Sequence, residues 1–158
     1  MSLPTSASRS VEIDAPRQFV YDLVADITRT GEWSPECRAC EWLDPPAQVG
    51  SRFRGHNKRG LARWTTTATV LIADRPGTFA FTTLHRGQPS TRWSYTLTGT
   101  DPTTLTESFE AVSTPLLISV AERLFIRNRQ QQLEASIAET LHRIKALAER
   151  SLKRDHGN

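Results

Sequence analysis

In the stretch TLTESFEAV, an alternating pattern puts Leu105, Glu107, Phe109 and Ala111 on one side, which sets a carboxylate among apolar neighbours. A carboxylate on an apolar face is costly unless it is paired. Glu107 is therefore expected to meet an arginine, to line a wet cavity, or to sit at a bulge that turns it outward. The same alternation groups Trp93, Tyr95 and Leu97 in RWSYTLT, Phe79 and Phe81 in TFAF, and Trp64, Thr66, Ala68, Val70 and Ile72 in RWTTTATVLI. Tyr95 and Thr66 thus add hydroxyls to the surface that carries Glu107. A mostly apolar wall with a few placed polar groups is the composition of a small-molecule pocket, the polar groups orienting one end of the ligand. It is also the composition of a packed core with amphipathic aromatics at its rim, and from the residues alone the packed core is the first reading.

Other chemically able residues point to less. Cys37 and Cys40 stand in CRAC, but zinc would need two further ligands, and no second cysteine pair or close histidine pair exists. A thioredoxin-like pair opens a helix after a strand, whereas ECRACEWL reads as strand. On a regular strand positions 37 and 40 point to opposite faces, so the expectation is two unrelated thiols. Arg52, Arg54 and His56 alternate on the side of SRFRGHNK opposite Phe53, so His56 is expected at the surface and not as a base. No Ser/His/Asp arrangement, metal cluster or phosphate-binding loop is found, and no cofactor or metal is expected.

These residues need a sheet to position them. RSVEI alternates, with Val11 and Ile13 on one side, and predicts a first strand. Asp14 is the expected N-cap of a short helix with Pro16 in its first turn, and Phe19, Val20, Leu23, Val24 and Ile27 follow at helical spacing. Gly31 and Pro35 end this region, so one or two short helices interrupt the sheet. About six short strands then follow from CRACEWL to TLTESFEAV, each bounded by Gly, Pro or Asp signals, as in an antiparallel meander. From Pro115 the period becomes helical. Leu133, Ile137, Leu141, Ile144 and Ala148 form one stripe, while Leu117, Val120, Ala121 and Leu124 form another on nearly the opposite face. Either the helix breaks near 127–132 or its first half packs on something different.

The chain has 158 residues, enough for a single domain with a sizeable core. Residues 1–8 and 151–158 are expected to be tails around a domain at 9–150. Its net charge of +3 is modest, and the C-terminal arginines fall on helical spacing together with Glu. They read as a solvated helix face, and nucleic acid is not an expected partner. No apolar run has the length of a membrane span and no secretion signal is seen, so the expected compartment is the cytoplasm. Nothing in the sequence specifies an oligomeric state.

VEIDAPRQFVYDLVADITRTGEWSP resembles the opening of the START-like, or SRPBCC, superfamily, in its polyketide cyclase/dehydrase and lipid-transport branch of actinobacterial type. Ile13, Ala15, Pro16, Val20, Tyr21, Asp26, Trp33 and Pro35 carry the match, and TRWSYTL, TLTESFE and the ending IKALAER extend it over about residues 9–150. The resemblance implies an α+β helix-grip fold: a curved antiparallel sheet of about six to seven strands around a long C-terminal helix, with two short helices after the first strand. It also implies a cavity between sheet and helix, which raises the pocket reading above the packed core. Trp33, Trp64, Thr66, Phe79, Phe81, Trp93, Tyr95, Glu107, Phe109, Leu117, Val120 and Leu124 are then the candidate ligand contacts, with Leu116, Leu117, Val120, Leu124 and Phe125 of the early helix as a lid or mouth lining. The favoured function is binding of a hydrophobic small molecule, lipid, polyketide or isoprenoid-like. One alternative is a polyketide aromatase/cyclase-type enzyme, which needs a base and a carbonyl-polarising donor, with Glu107 and Tyr95 as candidates. A second is a protein-interaction module.

Overall fold

The computed structural model describes residues 6–111 and 120–157, with side chains of the C-terminal helix described from residue 131 onward. Seven strands form one antiparallel sheet: β1 (Ser6–Ile13), β2 (Cys37–Trp42), β3 (Arg52–Arg59), β4 (Ala62–Asp74), β5 (Thr78–His85), β6 (Gln88–Thr98) and β7 (Thr103–Ala111). Their spatial order is β1-β7-β6-β5-β4-β3-β2. The strands β2 to β7 are a meander, and β1 closes against β7 with Val11 opposite Leu105 and Ile13 opposite Thr103. β1 and β2 therefore lie at opposite edges. The segment between them must cross the sheet, and this is the task of α1 (Arg17–Ala25) and the 3₁₀ helix at Ile27–Glu32.

That crossing is held by local chemistry. Thr103, wholly buried, donates from its hydroxyl to the Ala15 carbonyl at 2.7 Å and pins the entry to α1 onto β7. Val20, Leu23 and Val24 face inward, and Tyr21 meets Phe79 edge to face at 6.5 Å. Asp14 does not cap the helix as expected. The residue before the first helical turn is Pro16, extended at φ −60° and ψ 144° with no side-chain cap, and the Asp14 N–H instead donates to Glu149 of the C-terminal helix at 3.0 Å. Asp26 starts the 3₁₀ helix, accepting from the Thr28 N–H at 3.2 Å.

The C-terminal helix α2 runs unbroken from Val120 to Asp155, past the point where a tail was expected. Its later stripe is the core seam: Ile137, Leu141, Ile144 and Ala148 are buried and Leu133 packs beside them. The early stripe, Leu117, Val120, Ala121 and Leu124, lies outside the described residues and side chains. Among the described residues, no helix is long and apolar enough to cross a membrane.

Candidate functional site

The grip of sheet on helix leaves a cavity of about 360 Å³, within the range of roughly 300–1,000 Å³ typical of small-molecule pockets. One wall is the concave sheet face, with Phe53 and Gly55 from β3, Thr66 and Ala68 from β4, Phe81 and Thr83 from β5, Thr91, Trp93 and Tyr95 from β6 and Glu107 from β7. Trp33, Thr30 and Ser34 close it on the side of the 3₁₀ helix, and Leu133, Ser136 and Thr140 of α2 cover it. Trp64, 37% exposed, stands at the rim, where Asn57 donates to the Thr66 hydroxyl at 3.0 Å. Phe53 of this wall meets Phe81 edge to face at 5.1 Å, and Trp42 packs on Phe53 from behind the lining in the same manner at 5.5 Å.

The polar feature deep in the wall is Glu107. It lies directly across from Tyr95 in the β6–β7 ladder, so period-two alternation delivers both to the cavity. The Tyr95 hydroxyl donates to Glu107 Oε1 at 3.2 Å, while the buried Oε2 has no partner among the described residues. Of the three expected situations for this carboxyl, the cavity wall is the one realised. Burial pushes its pKa up to about 8, and the Tyr95 hydrogen bond only partly counters that. At neutral pH the group is thus largely a neutral acid, able to donate an O–H into the cavity as well as to accept. Burial and the adjacent carboxyl push the Tyr95 phenol well above its usual range, so it remains protonated.

Of the residues singled out from the sequence, Trp33, Trp64, Thr66, Phe81, Trp93, Tyr95 and Glu107 come together around the cavity. Phe79 and Phe109 share their sheet face but not the cavity: Phe79 is sealed beneath α1, and Phe109 stands beside Trp93 at 5.5 Å. Leu116, Leu117, Val120, Leu124 and Phe125 lie outside the described side chains. Arg52, Arg54 and His56 are exposed, as read.

Two expectations need correction, each because a bulge interrupts the alternation. Between Val70 and Ile72 the register shifts, so Ile72 pairs with Ala80, and Ala73, opposite Phe79, takes the inward place. Between Cys37 and Ala39 a second shift turns both cysteines to one side, with Cys37 Sγ 3.1 Å from Cys40 Sγ, both lining the cavity. The two thiols are neighbours, not unrelated. Thr83 and Thr91 were missed although alternation from Phe81 and Trp93 reaches them. Ser136 and Thr140 flank the apolar stripe of α2 and could have been found as its polar border.

A curved antiparallel sheet wrapped on its terminal helix, with a wall of aromatics and a buried acid between them, is the START-like helix-grip architecture. Residues 4–149 match the family described as polyketide cyclase / dehydrase and lipid transport, and the chain belongs to that family. It is similar to the Polyketide_cyc-like protein Cgl2372 from Corynebacterium glutamicum, with 33% identity over 97% of this chain and 96% of that one, at a TM-score of 0.64. A START superfamily protein from Mycobacterium smegmatis shares the fold at a TM-score of 0.67 and 13% identity, over 91% of this chain and 99% of that one. The di-domain ARO/CYC StfQ from the steffimycin biosynthetic pathway does so at a TM-score of 0.76 and 14% identity; the alignment covers 94% of this chain and 52% of StfQ, about half of that protein. No curated protein matches the sequence significantly.

Proposed function

We propose that this protein binds a hydrophobic small molecule, lipid, polyketide or isoprenoid-like, in the cavity between sheet and α2. The observation that carries the reading is a preformed, largely apolar cavity with a buried carboxyl in its wall, Glu107, whose Oε2 has no partner among the described residues and which stands beside the Tyr95 hydroxyl. Apolar burial supplies affinity at roughly 25 cal/mol per Å² before association costs. The neutral Glu107 acid and Thr66, Thr83 and Thr91 offer hydrogen bonds to an oxygenated end of the ligand. Family membership and the likeness to proteins described as lipid-transport and ARO/CYC types support the same class of ligand.

Glu107 favours one second reading, a cyclase-type reaction on a polyketone chain. A carboxyl titrating near 8 is tuned close to neutrality, as a general acid–base needs, and its protonated form can polarise a carbonyl. Native mass spectrometry of the purified protein tests binding directly. A lipophilic compound that co-purifies and is displaced by denaturation is expected, and a protein that carries none and takes up no apolar fluorescent probe would refute the reading. Glu107→Gln then separates the two functions: turnover lost with affinity retained argues for the enzyme.

A further inference from the structure

We propose that Cys37 and Cys40 form a reversible dithiol–disulfide site in the cavity wall, oxidised by small disulfides of the glutathione type. The proposal does not depend on what the cavity binds. On a regular strand the two side chains would diverge; the bulge at the start of β2 brings their sulfurs to 3.1 Å. Gly55 on β3 faces both sulfurs: a methyl group there would rest in ordinary van der Waals contact with each, 3.5 Å from Cys40 Sγ and 3.6 Å from Cys37 Sγ. An S–S bond is ~2.05 Å long, so closure asks the sulfurs to approach by about 1 Å. The chain has no other cysteine to compete for either thiol.

The two thiols are also unlike each other. The hydrogen bond between the two sulfurs holds the Cys37 thiol below its usual range, although Cys37 is buried, and holds the half-buried Cys40 thiol above it. This is the division between an attacking and a resolving thiol. The Cys37 thiolate attacks one sulfur of the small disulfide, whose S–S bond breaks, and the first small thiol leaves and takes up a proton. Cys40 then loses its proton, its sulfur attacks Cys37 Sγ, and the second small thiol is expelled and protonated. Two electrons pass from the protein dithiol to the oxidant, and no other co-reactant is needed.

Arg38 lies between the cysteines, so trypsin cuts the chain between them. Folded, reduced protein is incubated with oxidised glutathione, quenched with acid, digested and analysed by mass spectrometry. The expected result is the fragment ending in Arg38 joined to the fragment beginning at Ala39 by a disulfide, at the summed mass less two hydrogens, and separated again by dithiothreitol. Cys40→Ser is expected to stop at a glutathione adduct on Cys37. If the wild-type protein instead accumulates glutathione adducts without the joined fragments, or keeps both thiols free while urea-unfolded protein forms the link, the proposal is overturned.

Discussion

Glu107 concentrates the site's electrostatics in a single side chain. Its folded pKa, about 8, stands above the ordinary glutamate range near 4.3, because burial favours the neutral acid. The folded state therefore holds a proton that the unfolded chain releases. This contribution is complete below the unfolded pKa, declines as pH rises across roughly 4.5 to 8, and is lost above the folded value. Glu107→Gln removes the titration and is expected to flatten the fall in stability over that window by up to a few kcal/mol, read as urea midpoints at successive pH values. Tyr95→Phe acts in the opposite sense. It leaves Oε1 without its donor as well, and is expected to cost about 1–3 kcal/mol, growing as pH rises and Glu107 ionises.

At the scale of elements, the 3₁₀ helix meets the bulged start of β2 in close backbone contact. A methyl group at Gly31 would lie 2.3 Å from the Arg38 carbonyl oxygen, a backbone atom that cannot swing aside. Gly31→Ala is expected to lower stability by about 1–3 kcal/mol in a urea melt, with the loss arising from displacement of the 3₁₀ helix and β2. The contrast is the Asp22–Arg75 pair, which ties α1 to the β4–β5 turn at 2.7 Å but has both side chains more than half exposed. Asp22→Asn is expected to cost less than about 1 kcal/mol, because solvent screens exposed pairs.

For the molecule as a whole, core and cavity are separable along α2. Ile144, wholly buried, lies on the core stripe, and Ile144→Ala is expected to cost about 2–5 kcal/mol. In the middle of the cavity cover, between Leu133 and Thr140, Ser136 is half-buried and lines the void. Ser136→Phe places an aromatic ring in the space a ligand would use. Its expected effect is at least a ~10-fold loss of uptake of an apolar fluorescent probe with near-normal thermal stability, a difference of about 1.4 kcal/mol in binding. Unchanged uptake would place the probe elsewhere.

Period-two and period-3.6 patterns are properties of neighbours along the chain, and so the meander, the helical insert and the core stripe of α2 were all legible before any contact was known. The side of the sheet on which Trp64, Phe81, Trp93, Tyr95 and Glu107 stand followed from the same alternation. Depth did not: Phe79 and Phe81 read alike in sequence, but α1 seals the first, while the second faces the void. The pairing of Cys37 with Cys40 and the exchange of Ile72 for Ala73 depend on bulges, which arise from how two strands settle against each other and leave no mark in a single strand's pattern. Whether the concave face would be filled or hollow was decided by the curvature of the sheet against its helix. That is a sum over the whole structure, which no local run of residues encodes.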